Sequence, residues 1–69
     1  MSEHTYRVIE LVGSSEISHA DAIENAIARA AKTMRHLRWF EVTQQRADVH
    51  DGKIQHYQVT MKVGFTLED

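Results

Sequence analysis

The sequence predicts an α+β domain of β-α-β-β order, in which a three-stranded antiparallel sheet wraps on one helix. Three observations predict it. A β-branched run, "TYRVIELVG", comes first, one helical apolar stripe follows, and two alternating runs then flank "HDGK". A right-handed crossover through the helix makes the first two strands parallel. The third strand then fits between them and is antiparallel to both.

The first strand is expected to end at Gly13, and a helix follows it. Ser15 and Ser18 both qualify as its N-cap, and Ser18 with Asp21 three residues later forms a capping-box pattern. From Ala20 the apolar residues recur at helical spacing. They are Ile23, Ala26, Ile27, Ala30, Met34 and Leu37. The predicted helix therefore covers this whole stripe.

The remaining chain predicts a long hairpin around a two-residue type I′ loop, Asp51-Gly52. This loop sets a register in which two faces alternate, unless a β-bulge shifts part of it. One face pairs Phe40 with Val63, Val42 with Met61, and Arg46 with Tyr57. The other pairs Trp39 with Gly64, Glu41 with Lys62, Thr43 with Thr60, and Gln45 with Gln58.

One face of the predicted sheet is apolar and is expected to cradle the helix. Its third-strand residues are Tyr57, Val59, Met61, Val63 and Phe65. The other face is expected to be polar apart from Trp39. A large exposed aromatic marks a contact surface, either a subunit interface or a stacking platform for a planar ligand. Gln58 on that face is either a solvated strand residue or an amide that donates and accepts at a heterocycle edge.

The composition excludes several classes of protein. The 69 residues form one domain, 1–69, without cysteine, so disulfides and thiolate metal sites are excluded. A net charge of −2 lacks the basic surplus of a nucleic-acid binder. The N-terminus is unlike a signal peptide, and no apolar run reaches the length of a membrane span. We expect a cytoplasmic domain that gains stability by forming an oligomer.

No catalytic or metal constellation is visible in the sequence, and we expect no enzyme. The five histidines are scattered, and His50 and His56 beside the hairpin loop lack a third ligand. Arg29, Lys32 and Arg35 form either a phosphate patch or a solvated helix face. A nucleophile–base pair, a phosphate-cradling glycine loop and paired carboxylates are all missing from the pattern.

Three blocks of the chain together resemble the dodecin family. They are "YRVIELVGSSE", "ARAAKTMRHLRWFEV" and "YQVTMKVGFTLED", and the resemblance spans Tyr6 to Asp69. It implies the same β-α-β-β fold and a hollow homododecamer that holds flavins in pairs near its two-fold axes. The implied ligand is FMN, or else FAD or riboflavin. The implied role is storage or sequestration of the flavin with quenching of its photochemistry.

The resemblance also implies which residues hold the flavin. The family tryptophan, which stacks on the isoalloxazine, matches Trp39, and the family glutamine, which binds the ring edge, matches Gln58. The family arginine after the "WFEV" block matches Arg46. A calcium-binding branch of the family lacks the tryptophan, so Trp39 argues against that branch here.

Three positions depart from the common family pattern. Arg38, Ala47 and Thr66 stand where Asp, Gly and Arg are common. A dodecin-like shell with weak or no flavin binding therefore stays the alternative function. Trp39 and Gln58 also lie far apart in the predicted hairpin, about 20 Å along the sheet. If both bind one flavin, two chains must build the pocket.

Overall fold

The computed structural model describes residues 3–67 and contains four elements in the predicted order. These are strand β1 (Tyr6–Ser15), helix α1 (His19–Ala30), strand β2 (Leu37–His50) and strand β3 (Lys53–Thr66). The strands form one sheet in the order β1-β3-β2, and β3 is antiparallel to both neighbours. The predicted fold class and the central place of the third strand are confirmed. Within residues 3–67, no helix is long and apolar enough to cross a membrane.

Ser18 caps helix α1, as the capping pattern predicts. Its hydroxyl accepts a hydrogen bond from the backbone N–H of Asp21 at 3.0 Å. Ser15, the other candidate, holds the preceding turn instead. Its hydroxyl accepts from the N–H of Ile17 at 2.9 Å and donates to the Asp21 carboxylate at 2.6 Å. The two serines thus fix the direction in which α1 leaves the sheet.

Helix α1 ends at Ala30, earlier than the apolar stripe predicts. The next turn tightens, because the N–H groups of Lys32 and Thr33 donate to carbonyls three residues earlier at 3.2 Å. His36 then takes a positive φ of 66° before β2 starts. Leu37, predicted as the last member of the helical stripe, is the first residue of β2 and packs against the core from there. Hydrophobic periodicity reports which residues are buried and not which backbone conformation they adopt. Here a buried position, Leu37, follows at helical spacing although the helix has ended and β2 has begun.

The core lies between α1 and one face of the sheet, which we call the inner face. Val59, Met61 and Val63 of β3 and Ala22 of α1 are each 0% exposed. The partly buried residues around them are Ile9, Leu11, Ile23, Ala26, Ile27, Leu37 and Val42. The predicted apolar face is therefore confirmed. So few fully buried side chains stabilise a small domain only modestly.

The hairpin register is confirmed at both ends and wrong in the middle. Trp39 pairs with Gly64, and the three pairs that follow it also agree with the prediction. At the other end, His50 pairs with Lys53 around a turn whose two residues have φ of 53° and 74°, as a type I′ turn requires. The turn chemistry therefore fixed the loop as expected.

Two irregularities between these ends offset one another. Val42 and Gln44 pair with consecutive residues of β3, so Thr43 is an extra residue in β2. Arg46 consequently pairs with Gln58 and not with Tyr57, as predicted. The predicted pairs of Thr43 and of Gln45 are wrong for the same reason. A second shift between Asp48 and Val49 leaves an extra residue in β3, so the register returns to the predicted one at the loop.

Gly13 allows α1 to lie close against β1. A Cβ atom at this position would overlap the backbone carbonyl oxygen of Ala22 and lie 3.0 Å from the Cβ of Ala26. A backbone atom of a helix cannot move aside as the end of a flexible side chain can. The glycine and the two alanines facing it therefore set the spacing between helix and sheet.

We predict that Gly13→Ala lowers the free energy of unfolding by about 1–3 kcal/mol, because overpacking forces the helix away from β1. Chemical denaturation measures the change, with all proteins at one concentration since assembly adds to apparent stability. Ser14→Ala, at the exposed neighbouring position, is the control and should stay within about 0.5 kcal/mol of the parent. Equal stability of the two variants would contradict the close helix–sheet contact.

Candidate functional site

The face of the sheet that points away from α1, here called the outer face, is more apolar than predicted. Tyr6, Val8 and Val12 of β1 share it with Trp39, and all three are about half exposed. The ring of Tyr6 meets the indole edge-on, with the centroids 6.1 Å apart. The prediction that Trp39 is the only large apolar group here is wrong, because β1 is apolar on both of its faces.

Trp39 is seated against the bare backbone of Gly64. A Cβ atom at Gly64 would overlap Cε2 and Cζ2 of the indole. The side chain is still 39% exposed, so part of its ring surface remains open to a planar partner. A register shift that skips Arg38 turns Leu37 toward the inner face and Trp39 toward the outer one. The predicted pairing with glycine thus provides a platform for the indole.

The bulge at Thr43 places Arg46 and Gln58 together on the outer face. The Nε of Arg46 donates to Oε1 of Gln58 at 2.8 Å, and its Nη1 donates to Oε1 of Gln44 at 3.1 Å. In the predicted register Arg46 lay on the helix side, where it could not have met Gln58. An extra residue in one strand re-aims the side chains that follow it, which is the physical reason for this correction.

The backbone of Arg46 is also tied to the start of α1. Its carbonyl oxygen lies 3.0 Å from Nε2 of His19, within hydrogen-bond distance. The His19 ring packs edge-on against Tyr57, with the centroids 5.1 Å apart. The start of the helix therefore contacts the backbone of Arg46 on the inner side of the sheet, while the guanidinium of Arg46 lies on the outer face.

Sequence reasoning did not single out Gln44, although a signal for it was present. Trp39 and Arg46 are an odd number of residues apart and cannot share one face of a regular strand. If both face the same side of the sheet, an extra residue must lie between them. An extra residue before Gln44 turns that side chain outward as well, beside Arg46.

The structure does not bring all of the predicted site residues together within one chain. Arg46 and Gln58 are in contact, whereas Trp39 pairs with Gly64, six residues along β3 from Gln58. At strand spacing this corresponds to about 20 Å. The outer face therefore carries an aromatic platform, Trp39, at one end and a polar cluster, formed by Gln44, Arg46 and Gln58, at the other.

Asp48 and His56 form a cross-strand pair next to the polar cluster. His56 is placed with Nδ1 3.4 Å from the Asp48 carboxylate and Nε2 3.8 Å from that of Glu16. Desolvation raises the pKa of Asp48, but hydrogen bonding and charge interaction with His56 outweigh it and lower the pKa below its ordinary value. The contact therefore favours the folded state above the ordinary aspartate pKa, and this contribution is lost as pH falls through the lowered value.

Across residues 3–67, no group of three or more His, Cys, Asp or Glu side chains is arranged to hold a metal ion.

Comparisons with known proteins agree with this architecture. The family model described as Dodecin matches residues 5–68. A curated Dodecin from Thermus thermophilus is 48% identical over 64 residues, which are 93% of each chain. Among solved structures, dodecin from Streptomyces coelicolor superposes with a TM-score of 0.94 at 52% identity, covering 100% of this chain and 99% of that one.

A more distant structure marks another branch. Calcium dodecin from Mycobacterium tuberculosis, a calcium-chelating immunodominant antigen, superposes with a TM-score of 0.81 at 31% identity, with 93% of this chain and 91% of that chain covered. Dodecin from Streptomyces davaonensis is nearer, with a TM-score of 0.93, 51% identity, and coverage of 99% and 100%.

We predict that Gly64→Ala displaces the indole of Trp39, because the new methyl group occupies the volume of its ring. Trp39 is the sole tryptophan of the chain, so emission excited at the long-wavelength edge of its absorption, where tyrosine does not absorb, reports on this position alone. The emission should shift to the red as the ring moves into water. Gly52→Asn at the hairpin turn, where asparagine tolerates a positive φ, is the control and should leave the tryptophan signal unchanged. An unshifted spectrum for Gly64→Ala would contradict the seating of the indole on Gly64.

Proposed function

This chain belongs to the dodecin family, and we propose that it binds a flavin between neighbouring chains of a hollow homododecamer. In this proposal the protein stores or sequesters the flavin, FMN, FAD or riboflavin, and does not catalyse a reaction on it. The observation that carries the proposal is the half-exposed indole of Trp39, seated on Gly64 at the end of the outer face.

Stacking explains why a large apolar ring stays in this exposed position. An indole offers a wide, rigid π surface, and the isoalloxazine of a flavin is planar and extended. Because the backbone of Gly64 supports the indole from the sheet side, the ring needs no rearrangement to receive a ligand. An excited flavin in such a stack accepts an electron from the indole, which quenches its fluorescence and its photochemistry.

The polar cluster supplies the second half of the proposed pocket. The amide of Gln58 carries both a donor and an acceptor, which suits the carbonyl and N–H groups on the edge of the flavin ring. Arg46 is directly bonded to this amide and adds a positive charge next to it. Ring stacking and edge recognition therefore come from different groups of the same outer face.

Two chains are needed to use both groups on one flavin. The separation of about 20 Å between the pairing positions of Trp39 and Gln58 exceeds the length of the ring system. A two-fold axis through the outer faces of two chains brings the platform of one chain toward the polar cluster of the other. The proposed binding site is therefore complete only in the oligomer.

The distribution of apolar side chains supports an assembly. Val49 and Ile54 pair across the hairpin and are 66% and 55% exposed, and Phe40 beside the helix is about half exposed. Large apolar groups at such positions mark surfaces that another chain covers. Together with the small core, they favour the homododecamer that family membership suggests.

A shell that holds no flavin tightly is the second candidate function. Thr66, which stands where an arginine is common, is only 8% exposed, and its backbone N–H donates to the carbonyl of His36 at 3.2 Å. This position therefore offers no cation to a flavin phosphate. A purified protein that is yellow and quenches flavin fluorescence supports storage, whereas a colourless shell that ignores added flavin supports this alternative.

We predict that Trp39→Ala abolishes most of the quenching of bound riboflavin and weakens binding more than tenfold, because stacking and buried area are lost together. Fluorescence titration measures both quantities. Trp39→Phe is the matched variant: it keeps a ring in the stack but is a poorer electron donor, so it should retain more affinity than quenching. Parent-like affinity and quenching in Trp39→Ala would refute the stacking role.

We predict that the purified protein is a particle of twelve chains and that the monomer is not stably populated, because one chain buries too little apolar surface. Light scattering with size-exclusion chromatography gives the particle mass directly. A stable monomer at micromolar concentration would show that the exposed apolar side chains do not drive assembly, and the shared-pocket proposal would fail with it.

A further inference from the structure

We infer that Gln44 is a positioning residue of this site, which acts through Arg46 on the amide of Gln58. The inference rests on the proposed flavin function and deepens it. The observation behind it is that one guanidinium donates to two glutamine oxygens through two different nitrogens, at 2.8 Å to Gln58 and at 3.1 Å to Gln44. Three long side chains thus form one hydrogen-bonded unit on the outer face.

The chemistry of arginine decides which way round both amides lie. A guanidinium carries only N–H donors and has no acceptor, so the atom that faces it must be the amide oxygen. The NH2 group of Gln58 is therefore directed away from Arg46. An isolated glutamine amide would rotate freely about its last torsion, which is broad and roughly two-fold. The bond from Arg46 removes that freedom before any ligand arrives.

Gln44 is needed because Arg46 is itself long and flexible. A single bond to Gln58 would leave the guanidinium plane free to swing, whereas a second bond from Nη1 to Gln44 fixes it at two points. The contact of His19 with the carbonyl of Arg46 holds the backbone from the other face. Residues held in this way lose less conformational freedom when a ligand binds, and the saving appears as affinity.

The fixed amide defines the ligand edge that the cluster accepts. Its NH2 group requires a carbonyl oxygen or another acceptor, and the remaining lone pair on Oε1 accepts an N–H beside it. The imide portion of the flavin ring presents an N–H with a carbonyl on each side of it. A held Gln58 amide can therefore pair with the N–H and one carbonyl without first having to rotate. We assign to the Gln44–Arg46–Gln58 unit the task of keeping this amide ready for the imide edge.

A double-mutant cycle tests the inference, with riboflavin as the probe because it carries no phosphate that could bind Arg46 directly. Gln44→Met removes the acceptor and keeps the length of the side chain, and it should weaken riboflavin binding about three- to tenfold. Gln44→Glu keeps an acceptor for Arg46 and should retain the affinity of the parent. In an Arg46→Met background, Gln44→Met should have no further effect, since its route to Gln58 is already cut.

Gln45→Met is the matched control. Gln45 is the next residue of β2 after Gln44, but it pairs with Val59 and so lies on the inner face, away from Arg46. It should bind riboflavin as the parent does, and light scattering should give one particle size for all variants. Parent-like affinity in Gln44→Met, or an equal loss with and without Arg46, would overturn the positioning role while the flavin function stands. If the parent itself binds no riboflavin, the proposed function and the inference fall together.

Discussion

The extra residue at Thr43 decides which side chains share the outer face of the sheet. Without it, strand alternation would place Arg46 on the helix side with Phe40 and Val42, and Gln58 would face no cation. With it, Arg46 lies across from Gln58 and donates to it at 2.8 Å. A compensating extra residue near the loop lets the type I′ turn keep its two-residue form. The hairpin therefore joins a regular turn to a site that a regular strand could not build.

Two glycines link the packing of the domain to its proposed function. Gly13 allows the helix to pack close against β1, and Gly64 leaves room for the indole of Trp39 to lie on the backbone of β3. The resulting core is thin, and several apolar side chains remain outside it. We propose that a partner chain covers these exposed side chains. In the proposed function, the outer face holds the ligand, and the exposed side chains of Phe40, Val49 and Ile54 contribute to assembly.

Much of this fold follows from local sequence signals. The cap at Ser18 and the Asp51-Gly52 turn each rest on chemistry within a few residues, and both are confirmed. The end of α1 and the middle of the register could not be predicted in this way. Leu37 kept helical spacing although the backbone had become a strand, and the extra residue at Thr43 leaves no mark in hydrophobic periodicity. In the proposed pocket Trp39 and Arg46 both face outward, and their odd spacing along β2 allows this only with an extra residue between them.

In the proposed function one flavin is held by two chains, and a crystal structure of the riboflavin complex would show which chain supplies each contact. Each isoalloxazine should stack on Trp39 of one chain and accept and donate hydrogen bonds with Gln58 of the partner subunit. One ring contacted by both Trp39 and Gln58 of the same chain would contradict it.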